Sequence, residues 1–210
     1  MTSMTEKNAP KSFERLPDIF TGLDSKQRLA IAGQLIIGSA QSENPKRDGL
    51  LRTPERFGKA MGFLLSGYES SPADVVGEGI FKAESSGVVS VNKIEFYSLC
   101  EHHMLPFWGE VSVAYYPTSK IIGLSKIPRL VDLFSRRLQV QEHLTHQVAQ
   151  ALHSLLQPRA VVVRISGKHL CMMMRGVEKQ MSSTVSESHI GIDKLTNLEQ
   201  QRLFAALEGT

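Results

Sequence analysis

Residues 88–116 read VVSVNKIEFYSLCEHHMLPFWGEVSVAYY, and the alternation within this stretch predicts the class of the fold. Apolar and polar residues alternate over 89–96, with one shift in phase, and they alternate again without interruption over 111–115. A period of two is typical of strands with one buried face, so the pattern predicts two strands. The motif Cys-Glu-His-His at 100–103 then lies in the connection between them.

The sequence on the N-terminal side of this stretch predicts helices. A capping box begins at Asp24, and a cap residue followed by proline recurs at Thr53-Pro54 and at Ser71-Pro72. Residues 1–12 are polar and aperiodic, which indicates a disordered arm. We therefore expect the arm to be followed by an N-terminal helical region over residues 13–87.

The sequence on the C-terminal side predicts two helices between two pairs of strands. The expected elements after residue 116 are a helix over 125–138, a helix whose apolar residues begin at Leu144, strands over 160–165, 170–174 and 181–190, and a helix over 196–207. The order strand-strand-helix-helix-strand-strand is typical of an α+β domain built from hairpins. This sheet domain is expected to cover residues 88–210.

Composition and charge argue against several classes of protein. The 210 residues carry a net charge of +3 from scattered lysines and arginines, so charge does not favour a nucleic-acid partner. No apolar run reaches the length of a membrane span, and the first 15 residues lack the apolar centre of a signal peptide. We expect a cytoplasmic protein with no membrane or nucleic-acid partner, in which both cysteines are thiols or metal ligands.

Three residues are candidates for a metal site. Cys100 and His103 are three positions apart in a predicted turn, a spacing that lets both side chains reach one ion. The other cysteine of the chain, Cys171, lies in a predicted strand of the second half. A Cys-His-Cys set with one open position suits a catalytic zinc ion, because thiolates favour zinc over magnesium or calcium.

Two further histidines stand beside these candidates. His102 neighbours a ligand and is expected to point elsewhere, and His169 shares a strand face with Cys171. Imidazole titrates near neutral pH, so the pair suits acid/base chemistry beside an activated water. Because one local ligand pair is a weak zinc signal, two alternatives stay open. In the first alternative these residues have only a structural role, and in the second Cys100 and Cys171 form a disulfide.

Two groups of cationic residues are candidates for binding an anion. Ser125, Lys126 and Arg129 lie at a predicted helix start, where free N–H groups and positive charge attract phosphate. Arg175 is followed by Gly176, so that guanidinium and backbone could reach an anion together. A solvated helix face is the commoner explanation for such residues.

Gln141 and Glu142 open a further predicted helix. A carboxylate at this position could accept two N–H bonds from a guanine edge. Glutamates on helices are far more often solvent-exposed residues without a ligand. The residue type alone therefore does not show whether Glu142 binds guanine.

Taken together, these residues closely resemble the GTP cyclohydrolase I family. The matching segments are RDGLLRTPERFGKAM, SLCEHHMLPFWGEVSVAYYP, IIGLSKIPRLVDLFSRRLQVQEHLTHQVAQAL and HLCMMMRGVEKQMSSTV, which span about residues 47–191 in the family's order and spacing. The combination of SLCEHH, GLSK, RRLQVQE and HLCMMMRG is highly specific.

The resemblance implies a fold, an assembly and a set of roles. The fold is the α+β tunnelling fold (T-fold), an antiparallel four-stranded sheet with two helices on one face, preceded by an N-terminal helical region. The assembly is a toroid of ten subunits with active sites at subunit junctions. The implied roles are zinc ligands for Cys100, His103 and Cys171, acid/base histidines for His102 and His169, guanine binding for Glu142 with Gln141, and ribose and triphosphate binding for Ser125, Lys126, Arg129 and Arg175.

The resemblance also implies a reaction. GTP and water give 7,8-dihydroneopterin triphosphate and formate, the first step of tetrahydrofolate and pterin biosynthesis. Zinc activates water for attack at purine C8, His102 protonates the imidazole ring of the purine, and His169 assists at the ribose.

The sequence departs from the family's usual residues at four places, His143, Ser166-Gly167, Ser186-Glu187 and His189. The family usually has arginine at the first and an acid-alanine pair at the second. None of these changes removes a catalytic match. They leave room for a paralogue with altered kinetics or substrate, and those near His169 leave open a non-catalytic purine- or pterin-binding protein on the same fold. A structural zinc module is a third, separate possibility.

Overall fold

The structure is a computed structural model that describes residues 20–209. The chain divides into two compact units, one ending at Phe63 and the other beginning at Leu64. The predicted arm over residues 1–12 lies outside the described residues. Within residues 20–209, no helix has the length and apolar character needed to cross a bilayer.

The described part of the first unit is helical, with α1 (Ser25–Gly38), α2 (Asp48–Leu51) and α3 (Thr53–Leu64), whose last residue is the first of the second unit. The predicted capping box is confirmed, since the Asp24 carboxylate accepts the N–H of Gln27 at 2.7 Å and the Gln27 side chain accepts the N–H of Asp24 at 2.9 Å. Helices α1 and α3 approach closely at Gly33, where an added Cβ would lie 2.9 Å from the ring of Phe57.

The second unit is built on a five-stranded sheet. Its order is β5 (Leu138–Gln139), β2 (Val89–Cys100), β3 (Pro106–Tyr116), β6 (Ala160–His169) and β7 (Thr184–Ile190). Strands β2, β3, β6 and β7 pair antiparallel, which confirms the four-stranded antiparallel sheet, and the short β5 adds a parallel neighbour at the end of β2.

The shift in phase predicted near residue 92 is a β-bulge. The pairing register of β2 against β3 changes between Val91 and Ile94, and Lys93 within this interval has a φ of +56°. An extra residue in one strand resets the alternation, so Phe96 returns to the buried face and is only 1% exposed.

Helices α5 (Lys126–Ser135) and α6 (Gln141–Leu156) pack on one face of this sheet. Alternate residues of the strands meet the apolar stripes of both helices in one core, which includes Val111, Val113, Tyr115, Ile127, Leu130, Leu144, Val148, Leu152, Val163 and Ile165. Two helices on one face of a four-stranded antiparallel sheet confirm the α+β tunnelling fold.

Smaller elements surround the sheet. The predicted cap at Ser71 begins α4 (Pro72–Val76), and β1 (Ile80–Lys82) pairs with β4 (Lys120–Ile122) in a separate ribbon. At one end of the opposite sheet face, α8 (Asn197–Ala205) contributes Leu203 to a second apolar cluster.

The prediction of a strand over 170–174 is wrong. Strand β6 ends at His169 and is followed by one helical turn, α7 (Leu170–Met173), in which the N–H of Met174 donates to Leu170 O at 3.0 Å. The pairing of β6 with β7 stops at Gly167 and Thr184, so residues 170–174 have no β7 partner. A short apolar run fits a helical turn as well as a buried strand.

The helix predicted over 125–138 ends earlier, at Ser135. Residues that follow this helix join the sheet as a short strand, in which Leu138 and Gln139 pair with Leu99 and Cys100. This pairing brings the C-terminal end of α5 to the end of β2 that carries the Cys-Glu-His-His motif.

Candidate metal centre and acid–base site

The two cysteines meet because β2 and β6, which flank β3 in the sheet, run in the same direction and end at the same end of it. Strand β2 ends at Cys100, and the chain turns back into β3 with the N–H of Met104 donating to Cys100 O at 2.7 Å. Met104 has a φ of +53°, which tightens this turn. Strand β3 then pairs Phe107 with His169, so α7 and Cys171 follow directly beside the turn.

The predicted metal ligands converge. The ligand atoms of Cys100, His103 and Cys171 all lie within 4.8 Å of one another. Cys100 is buried, Cys171 is half-buried and His103 is exposed, so the set opens toward solvent on one side. Both cysteines are free thiols, which removes the disulfide alternative.

The donor set fits zinc. Burial, and then the neighbouring Cys100, raise the pKa of the Cys171 thiol, and Arg175 opposes this effect. Two thiolates close together in a partly buried site repel each other, and a cation bound between them would stabilise both. Two thiolates and one imidazole leave the fourth tetrahedral position open, as in catalytic zinc sites.

His102 lies beside this set. Its Nδ1 is 3.6 Å from Cys100 Sγ, and its Nε2 is 4.0 Å from the carboxylate of Glu101. The rings of His102 and His103 are inclined at 64° with centroids 6.3 Å apart. Arg175 also contacts this set, with Nη1 3.1 Å from His103 Nε2.

His169 is held on one face and on one edge. Its ring stacks on Phe107 with centroids 4.5 Å apart and an interplanar angle of 5°, and its Nε2 lies 2.9 Å from Gln141 Oε1. Burial lowers the pKa of His169, and the carboxylate of Glu142 partly opposes this shift. The neutral ring is therefore favoured.

Gln141 and Glu142 stand at the start of α6 with opposite environments. Glu142 is exposed, whereas Gln141 is only 1% exposed. The Gln141 amide lies in a polar cluster between α6, β6 and β7 that also contains Ile165 O, Thr184 O and the hydroxyls of Ser186 and Thr145.

Ser125, Lys126 and Arg129 are not joined to the metal set within residues 64–209. Lys126 Nζ donates to Val75 O at 3.5 Å, and Arg129 borders a cavity with Asp74. Helix α5 has 10 residues and spans about 15 Å, and its far end is the one beside β5 and Cys100. Within this chain, these predicted phosphate ligands therefore lie away from the thiols.

Sequence reasoning missed Phe107 and the polar cluster around Gln141. The stacking of Phe107 on His169 depends on the register between β3 and β6, which no local pattern specifies. Thr145 stands four positions after Gln141 on the same helix face, and this spacing was a usable signal for a bond between the Thr145 hydroxyl and Gln141 O.

Comparison with known proteins gives a consistent result. A family model described as GTP cyclohydrolase I matches residues 33–208. The chain is 52% identical over 172 residues to GTP cyclohydrolase 1 of Deinococcus radiodurans, with 82% of this chain and 80% of that protein covered. It is 56% identical over 152 residues to GTP cyclohydrolase 1 of Leptospira biflexa, with 72% and 83% covered.

Among solved structures, the apo form of the archaeosine synthase QueF-Like covers 51% of this chain and 97% of its own. The TM-score is 0.43 and the sequence identity 18%, so this likeness adds nothing to the sequence matches.

Proposed function

The chain belongs to the GTP cyclohydrolase I family, and from this premise we propose that it converts GTP and water to 7,8-dihydroneopterin triphosphate and formate with zinc at Cys100, His103 and Cys171. The observation that carries the proposal is the convergence of two thiols and one imidazole within 4.8 Å, with His102 and His169 beside them. Bound zinc supplies a Lewis acid that lowers the pKa of water and so makes it a nucleophile near neutral pH.

His102 is proposed to deliver a proton to the imidazole ring of the purine. Protonation withdraws electrons from C8 and makes this carbon open to attack by water. The role is supported by the position of the His102 ring, exposed to solvent and 3.6 Å from Cys100 Sγ, where a substrate next to the metal would meet it. A histidine that is not a ligand stays free to gain and lose this proton.

His169 is proposed to move protons at the ribose while the sugar ring opens and rearranges. This role is supported by the fixed orientation of the His169 ring, because Phe107 stacks on its plane and Gln141 contacts one ring nitrogen. Arg175, beside His103, is proposed to meet the triphosphate or ribose near the metal.

Guanine is proposed to bind at the start of α6. The exposed carboxylate of Glu142 can accept two N–H bonds from the guanine edge. The Gln141 side chain is buried, so its part in binding falls to its backbone N–H, which stands in the first helical turn where N–H groups lack intrahelical acceptors.

Replacing Glu142 by alanine is expected to raise the KM for GTP by about 100-fold, because two hydrogen bonds to a charged group contribute about 1.5 kcal/mol each. The variant should also lose its preference for GTP over inosine triphosphate, which lacks the exocyclic amino group. Steady-state kinetics with both nucleotides measure this. Gln150→Ala, an exposed change on the same helix, is the control. An unchanged preference in Glu142→Ala would exclude Glu142 as the guanine contact.

The triphosphate site is proposed to be shared between subunits of a homodecamer. Ser125, Lys126 and Arg129 lie at the end of α5 remote from the thiols, which favours pairing of this group with the metal set of another copy. The helix start and its cations suit the triphosphate.

A mixture of two inactive variants tests this sharing. Arg129→Ala disables the phosphate-binding residues of one subunit. Cys171→Ala disables the proposed metal ligands of another. Co-expression of the two should restore about a quarter of wild-type turnover, because random assembly leaves that share of junctions with both halves intact. Formate release measures it. No recovery in mixed oligomers of confirmed composition would place the whole site in one subunit.

The reaction itself is tested on purified protein with zinc and GTP. Release of formate together with a fluorescent pterin after oxidation supports the proposal. Tight GTP binding without either product would instead identify a non-catalytic binding protein. Unfolding on removal of the metal by a chelator, again without turnover, would identify a structural zinc module.

A further inference from the structure

We propose that the face of the sheet opposite α5 and α6 carries a second binding site, which takes a flat organic cation. The site is a cavity of about 380 Å³ that β2, β3 and β6 line together with Ser183, just before β7. Small-molecule sites begin at about 300 Å³, so the cavity has room for one ring and its charged group. The inference is independent of the proposed reaction, since no proposed metal ligand or acid–base histidine lines this cavity.

Strand pairing places the lining side chains in two adjacent rows. In the first row, Glu95 of β2 lies directly opposite Glu110 of β3. In the second row, Tyr97 lies opposite Trp108, and Lys168 of β6 lies on the other side of Trp108. The cavity therefore has an acidic row beside an aromatic row that ends in one lysine.

Both rows point away from the core and stay open to solvent. The residues that alternate with them along the strands, Phe96, Phe107 and Ile165, are buried on the side of the two helices. On the outer face, α8 covers one end of the sheet through Leu203. At the other end Tyr97 is 62% exposed, so a ligand can reach this part of the face.

The acidic row gives the cavity a negative charge that needs a partner. Glu95 and Glu110 are both exposed, and like charges directly opposite each other on paired strands are destabilising. Neither carboxylate forms an ion pair with another residue in the part of the chain that the structure describes. A bound cation between the two would remove this repulsion.

The aromatic row decides the shape of the ligand. An indole face such as that of Trp108, which is half-buried, attracts both a flat ring and a cation. A planar amidinium or guanidinium group offers a carboxylate two parallel N–H bonds, which suits Glu95 and Glu110. Lys168 disfavours a second positive charge beyond Trp108. The geometry thus points to one aromatic ring that bears a single amidinium or guanidinium group.

The chain contains its own reporter for this site, because Trp108 is its single tryptophan. Benzamidine, a ring with one amidinium group, is expected to quench the fluorescence of the full-length protein with a Kd of about 1 mM or lower. Benzamide has the same shape without the charge. It should bind at least about 10-fold more weakly, because it lacks the charge-assisted bonds to the carboxylates.

Two isosteric variants test the carboxylates. Glu95→Gln and Glu110→Gln should each weaken benzamidine binding by at least about 10-fold, while the Tm of each variant stays equal to wild type or rises because the repulsion is gone. Glu84→Gln, at an exposed acid outside the cavity, is the matched control. Glu142→Gln removes the carboxylate proposed for guanine, and it should bind benzamidine like wild type.

Four outcomes overturn the inference. Equal quenching by benzamide would show that the site does not recognise charge. Unchanged affinity in Glu95→Gln or Glu110→Gln would remove the acidic row from it. Loss of quenching in Glu142→Gln would place benzamidine at the proposed guanine site, and no quenching at about 10 mM benzamidine would leave no site at all. Since the measurement needs neither zinc nor GTP, a failure of the proposed reaction leaves its result unchanged.

Discussion

Cys171→Ala is expected to abolish zinc binding and GTP turnover together. The change removes one of three proposed ligands and leaves Cys100 and His103, a pair that cannot form a tetrahedral site alone. Loss of a residue that only supports a ligand already lowers metal affinity by about 10-fold to 100-fold, so loss of a ligand should lower it by at least about 100-fold. Metal analysis after dialysis and formate release on the same sample measure both effects.

The control for Cys171→Ala is Met174→Ala, a change in the same segment at a side chain that is 61% exposed. It should keep its zinc. Full zinc content in Cys171→Ala would show that the zinc is held by other residues.

His102→Ala is expected to separate the metal from the chemistry. The three proposed ligands are untouched, so zinc content should match wild type. Turnover should fall by about 100-fold to 10,000-fold, the range that general acid catalysis contributes. Zinc analysis and single-turnover formate release, measured side by side, distinguish the two effects.

His189→Ala, an exposed histidine on β7, is the control for the loss of an imidazole as such. Equal loss of zinc in His102→Ala and Cys171→Ala would reverse the assigned roles, because Cys100 Sγ lies close enough to His102 for either histidine to complete the set.

The sheet and its two helices could be predicted because their signals are local. The alternation over 89–96 and 111–115 gave β2 and β3, and even the bulge between Val91 and Ile94 left a trace as a shift in phase. The strand expected over 170–174 had no such alternation. Its apolar run carries no period, and the pairing that ends at Thr184 decides its conformation.

The candidate site could be predicted only in part. That Cys100, His103 and Cys171 converge is confirmed, whereas their binding of zinc stays a prediction. The burial of Gln141 could not be foreseen, because a polar residue at a helix start is usually exposed. It depends on contacts with Thr184 and Ser186 of β7, which lie 43 and 45 positions away in the sequence.

The position of the two cysteines, at the end of the sheet where β2 and β6 terminate, has a consequence for the order of folding. Cys100 and Cys171 are 71 positions apart, and β3, which lies between β2 and β6 in the sheet, brings them together. Closing so long a loop costs conformational entropy. If the metal bound before the sheet formed, its binding free energy alone would have to offset this cost, whereas in the finished sheet strand pairing has already closed the loop. We expect the ion to enter a nearly complete structure. Metal occupancy would then be a late signature of correct strand register.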